Sequence, residues 1–181
     1  QYNTCQTINM RSKTALQGQG NGTVIKKTAN CGNDVISSTS STTAQTFFVH
    51  IENLRIDGNK ANVPASAGHC INMEKAHTWW IEKIHCVDSS DQGIRINGAD
   101  GNLALNNYVL NSRIESPNSI GINVSGYAPN NHLRGNIVGG TTVNYGIELS
   151  NDETIVIGNH VHGTQSDGIR VATGGDNNLI Q

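Results

Sequence analysis

The sequence predicts an all-β fold: a single-stranded right-handed parallel β-helix, a solenoid of about five to six rungs with three short strands each. Three observations predict it: a strand-forming composition, an abundance of turn formers, and three apolar columns that keep step along the chain. The 181 residues suit one domain or a slice of a larger one. There are 19 Ile and 12 Val against 8 Leu, a bias toward side chains that pack well on a pleated surface. The 24 Asn and 20 Gly favour turns. Three Pro and no long charged block argue against a disordered tail. This balance disfavours a helical bundle, a coiled coil and a doubly wound α/β domain.

The repeat carries most weight. Gly-Ile-x-(Ile/Val/Leu) recurs at Gly93-Ile94, Gly121-Ile122, Gly146-Ile147 and Gly168-Ile169, and Cys70-Ile71 fills the same slot without its Gly. The steps between the isoleucines are 23, 28, 25 and 22 residues. A second column, Ile56, Cys86, Ile114, Val138 and Val161, steps by 30, 28, 24 and 23. A third, Ile51, Ile81, Val109, Leu133, Val156 and Ile180, steps by 30, 28, 24, 23 and 24. Apolar residues within each segment alternate with period two, which excludes helical repeats. Scarce Leu excludes a leucine-rich repeat. No strand can bury its own apolar face, so rungs stacked about 4.8 Å apart must join those faces into one core.

Turns accept insertions, and residues 59–67 and 99–105 are the expected projecting loops. Residues 1–45 form an entry rung with a Ser/Thr-rich connection at 37–43, and residues 46–181 form the rungs. Asn177-Asn178-Leu179-Ile180 opens a further rung, which predicts more chain in the native protein or a partner over that end. The Gly-rich stretch 18–22 is a turn between strands, not a dinucleotide or Walker loop.

The formal net charge of −2, with 14% charged residues, gives no basic excess, so nucleic acid is not an expected partner. No window approaches the ~18 apolar residues of a membrane helix, so membrane insertion is not expected. The chain opens on Gln1 without a basic-then-apolar leader, which suggests a processed or excised chain. The four cysteines form no CxxC pair, so zinc is not expected from them. Cys5 and Cys31 flank the entry segment and could bridge or stay free. Cys70 and Cys86 fall in repeat columns and are expected as buried free thiols. The sequons at Asn21 and Asn123 are matches that an Asn-rich chain produces by chance.

The Gly-Ile-x-Ile columns, the Asn-rich turns and the entry segment Leu16-Gln17-Gly18-Gln19-Gly20-Asn21-Gly22-Thr23-Val24-Ile25 resemble the pectin-lyase-like parallel β-helix superfamily. Ile51-Glu52-Asn53-Leu54-Arg55-Ile56-Asp57-Gly58-Asn59 resembles an early rung of its pectate-lyase-like and bacteriophage tail-spike or appendage branches. The resemblance implies a surface that binds long polysaccharides, and in many members cleaves or epimerises them. The chain lacks the epimerase-type Asp-Pro-His signature and any clear match to a pectate-lyase calcium site. The leading expectation is a tail-spike or appendage module on a host surface glycan, extracellular or on a virion, and a homotrimer if it is a spike. The alternatives are a secreted polysaccharide lyase or glycoside hydrolase, and an adhesive or structural β-helix without catalysis.

With the columns pointing inward, their neighbours point outward. Beside the Ile56 column lie Arg55 and Asp57, His85, Arg113 and Glu115, with Asp88 just past a strand end. Two carboxylates are what glycoside cleavage commonly uses. Asp57, Asp88 and Glu115 are therefore the candidate acids, and Arg55, His85 and Arg113 the cations that would keep them ionised or hold an acidic sugar. A lyase would use such cations to stabilise an enolate-like state. Cross-strand ion pairs on a wet surface are the plain alternative. Trp80, Tyr108 and His132 form a candidate carbohydrate-stacking strip, or simply stack on one another because rungs align them. Trp79 should be core, and Glu148 should pair with Arg170. His160 and His162 face outward, where solvation is the ordinary outcome. Asp91 and Asp167 read as turn residues. No metal or other cofactor is expected, although a calcium ion would find its oxygen donors among Asp88, Asp91 and Asp167.

Overall fold

The computed structural model describes residues 1–38, 45–66, 68–99 and 101–181, and for 141–143 the backbone alone. It is a parallel β-helix whose strands fall into two large parallel sheets. Every predicted column is a register line. Ile51, Ile81, Val109, Leu133, Val156 and Ile180 pair in sequence, as do Ile56, Cys86, Ile114, Val138 and Val161. Ile71, Ile94, Ile122, Ile147 and Ile169 form the third line in a seven-stranded sheet. Most of these side chains are fully buried and belong to one core, to which Trp79 also belongs. Val171, Leu179 and Ile180 in the last rung are 47%, 44% and 43% exposed.

The entry segment joins the same sheets. Tyr2–Thr4 pairs with Val24–Lys27, and Ile8–Met10 pairs with Ile36–Ser38. Ser37 and Ser38, expected in a loop, are buried in a strand and donate to the Asn72 and Glu74 carbonyls. The remainder of that expected loop lies outside the described residues. Of the insertion at 59–67, Lys60–Asn62 forms one 3-10 turn.

Corners are made by single residues in the left-handed region. Asn53, Lys83 and Asn111 take φ of 58°, 52° and 48° between the first and second strands of successive rungs, and Gly135 and Gly158 take 67° and 62°. Before the first strand of each rung lies another such line: Lys13, Phe48, Thr78, Asn106, Asn130, Glu153 and Asn177. Asn tolerates this region best among residues with a side chain, which accounts for part of its abundance.

A larger part is internal. Asn107, Asn131 and Asn136 are fully buried. Asn131 Oδ1 accepts from the Asn107 backbone N–H, and Asn107 Oδ1 accepts from that of Trp79 (both 2.9 Å). Asn136 Oδ1 accepts from the Ser112 N–H (3.0 Å), Asn159 Oδ1 from the Asn136 N–H (2.9 Å), and Asn136 donates to the Val109 carbonyl (2.8 Å). Each rung thus satisfies the corner amides of its neighbour, in a place where water cannot.

The cysteines correct the sequence reading. Cys5 and Cys31 are bridged, and so are Cys70 and Cys86, which are not free thiols. The Gly slot explains why. A Cβ on Gly93 would lie 2.3 Å from Ile114, and one on Gly121 or Gly146 would lie 2.1 Å from Val138 or Val161. The slot points straight at the second-column side chain of the next rung. At Cys70 that neighbour is Cys86, and a covalent bond occupies the space where two unbonded side chains would clash. Asn123 of the second sequon is buried in a strand, 7% exposed.

Asn136→Ala orphans the buried Ser112 N–H and takes one hydrogen bond from the Val109 carbonyl. It should cost about 3 kcal/mol of unfolding free energy by denaturant titration, since each unmet buried group costs about 1–3 kcal/mol. Alkylation of the unfolded, unreduced chain should label no cysteine, and labelling after reduction should reach all four.

Candidate functional site

The second strand of each rung carries two outward lines. One runs Val24, Arg55, His85, Arg113, Ile137 and His160; the other runs Lys26, Asp57, Val87, Glu115, Gly139 and His162. Parallel pairing in register places each residue one strand spacing from its counterpart.

His85, Arg113 and Glu115 are brought together. Glu115 Oε2 is 2.7 Å from His85 Nε2, and Arg113 Nη2 donates to Glu115 Oε1 at 2.5 Å. The Arg113 guanidinium, aided by His85 against partial burial, holds the Glu115 carboxyl below the usual carboxylate range. The same contact raises Arg113 further above its already high value. These three residues line a groove of about 490 Å³ with Gly20, Asn21, Asn53, Lys83 and Asn111. The groove therefore presents Arg113 and Lys83 with Glu115, Lys83 also reaching Glu82 at 3.2 Å, with three side-chain amides among them.

The other candidates lie around this centre. Asp57 is 14% exposed and held elsewhere: Oδ2 is 3.1 Å from Lys26 Nζ, and Oδ1 accepts from the Asn59 N–H. Val87 separates it from Glu115, and two strand spacings put their backbones about 10 Å apart. Asp88 sits at the following corner with φ 53°, its N–H donating to the Glu115 carbonyl. Arg55 is half-buried beside His85, its buried Nε without a hydrogen-bond partner among the described residues. The acids and cations are thus neighbours on one face, but only His85, Arg113 and Glu115 form one contact set.

The aromatic line closes on itself. Trp80 and Tyr108 are stacked with centroids 4.2 Å apart and planes 21° apart, and Tyr108 and His132 follow at 4.8 Å and 14°. Burial and nearby Arg134 lower the His132 pKa and favour its neutral ring. Both faces of Tyr108 are occupied, so the line turns ring edges outward, and the free face of Trp80 is the one turned from Tyr108. That side borders a groove of about 300 Å³ with Phe48, Val49, His50 and Thr78.

One further expectation changes, and one holds. Arg170 lies 4.6 Å over the Tyr145 ring and forms no ion pair with Glu148, although the two are register neighbours. His160 and His162 are exposed, their rings 5.4 Å apart. The amides and Lys83 that line the groove went unnoticed in the sequence because they lie at corners, outside the strand alternation.

Because its folded pKa is depressed, Glu115 contributes stability that is fully present above the ordinary carboxylate value of 4.5 and is lost as pH falls through the folded value. Glu115→Gln should therefore lower Tm by a few degrees near pH 6, and the difference should shrink as pH falls below the ordinary carboxylate value, read by thermal unfolding across pH.

No family model matches the sequence, and no curated protein matches it. Among solved structures the chain is similar in fold to ORF18 of Geobacillus virus E2, with TM-score 0.50 and 17% identity over 87% of this chain and 43% of that one. It thus spans less than half the length of the phage protein. It also aligns with the A-module of the Azotobacter vinelandii mannuronan C-5 epimerase AlgE6 over 96% of this chain and 83% of that one, with TM-score 0.30 and 15% identity.

Proposed function

We propose that this chain is a polysaccharide-binding β-helix domain of the tail-spike or appendage kind, and that its groove around Glu115 takes an acidic host-surface glycan. The groove carries the reading: Arg113, His85 and Lys83 converge on one side of a protein whose net charge is −2. Arg113 would offer its remaining N–H donors to a sugar carboxylate. Asn21, Asn53 and Asn111 offer amide donors and acceptors to hydroxyls. Two disulfides fit an oxidising exterior, extracellular or on a virion. A spike would assemble as a homotrimer, which sedimentation would detect.

One contact favours a second reading, elimination along the same glycan. Glu115 is ionised and orients His85 at 2.7 Å. His85 would take the proton beside a sugar carboxylate, and Arg113 would stabilise the developing charge. Hydrolysis would instead need a protonated carboxyl, and Glu115 is held ionised.

Against a panel of acidic and neutral glycans, the chain should prefer the acidic ones and lose affinity as salt rises. Arg113→Ala should weaken that binding about tenfold, the effect of losing one charge-assisted contact. Equal affinity for neutral glycans, or full affinity in Arg113→Ala, would reject the groove. If the glycan is also cleaved with unsaturated ends, His85→Ala should stop cleavage while binding persists.

A further inference from the structure

We propose that His50, Glu52 and Glu82 form a binding site for a divalent transition-metal ion, with zinc as its type ion. The site lies beside the groove around Glu115, with Lys83 reaching from that groove to Glu82, and does not depend on the glycan reading.

His50 and Glu52 are two residues apart on the strand His50–Asp57, so they share its outward face. The next rung places Glu82 directly beside Glu52. One donor atom from each of the three lies within 4.8 Å of the others, and all three residues are half-buried. Like charges directly opposite on neighbouring strands destabilise a sheet. The line does not dilute this pair, because Gln17 flanks Glu52 and Leu110 flanks Glu82. Lys83 Nζ reaches Glu82 at 3.2 Å, but Lys83 is 59% exposed and serves one carboxylate only.

The second observation is the imidazole. His50 Nε2 is closed to solvent and has no hydrogen-bond partner among the described residues. It faces Glu52 Oε2 at 3.7 Å, too far for a hydrogen bond. Two donors sharing a tetrahedral zinc, each about 2.0–2.1 Å from it, sit roughly 3.4 Å apart. The His50–Glu52 gap is close to that spacing, and the Glu82 carboxylate closes on it from within 4.8 Å. One neutral imidazole and two carboxylates balance a divalent charge. Nitrogen in the set selects zinc and its transition-metal neighbours over calcium or magnesium, which prefer oxygen alone. Three protein donors leave a fourth position for water or a ligand oxygen.

The test is calorimetric titration of the chelator-treated chain with zinc chloride, with calcium and magnesium as controls. One zinc should bind per chain and raise Tm. His50→Ala and Glu82→Gln should each weaken binding at least tenfold and abolish the Tm rise. Both variants should match the wild-type Tm in chelator, and Glu52→Gln replaces either one that does not. Absence of zinc binding overturns the proposal. So does zinc binding that survives both substitutions, which would place the ion elsewhere, as on His160 and His162. Calcium binding as tight as zinc, unaffected by His50→Ala, overturns it too, since an acidic pair alone would then suffice.

Discussion

One spacing governs this molecule. Each rung lies a single strand separation, about 4.8 Å, beyond the last and, apart from one shift between Gly139 and Val143, in register. Whatever stands at one position meets its counterpart at van der Waals or hydrogen-bond distance. The isoleucine lines, the asparagine amides, the Trp80–Tyr108–His132 stack and the His85–Glu115 contact obey this one rule. Local contacts do not explain them: Asn136 and the Ser112 N–H it serves are 24 residues apart.

The same rule makes the interior intolerant at selected points. The slot held by Gly93, Gly121 and Gly146 has no room for a Cβ because the second-column side chain of the next rung fills it. Cys70 breaks the pattern without breaking the fold, because its neighbour Cys86 can bond to it. The buried asparagines are intolerant for the opposite reason. Their removal leaves no steric conflict but strands backbone groups that only a neighbouring rung can reach.

This contrast explains what was legible in the sequence. Alternation determines which face a strand residue occupies, so all three inner columns, Trp79, and the neighbourhood of His85, Arg113 and Glu115 could be read from spacing alone. Alternation says nothing about corners. Asn107, Asn131 and Asn136 therefore read as turn formers when they are internal ladders. Nor does it say where a long side chain ends. Glu148 and Arg170 are neighbours as expected, yet the guanidinium chose the Tyr145 face. The Cys70–Cys86 bond was within reach of the spacing, since a cysteine replaces Gly just where the next rung supplies a cysteine. Reading it required knowing that the slot points across the core.

Surface lines differ in whether the chain itself completes them. The aromatic line is complete: Tyr108 is covered on both faces, and its neighbours gain from the alignment. The line through Arg55, His85 and Arg113 is incomplete, because three basic side chains follow one another and the next line returns only Asp57 and Glu115, with Asp57 drawn toward Lys26. Stacking cations at strand spacing is unfavourable unless something anionic shares them. On the proposed reading, a glycan carboxylate would do for that line what Glu115 does in part. A solenoid can complete nearly every line internally, so the lines left with unbalanced charge are where its surface is built to meet something else.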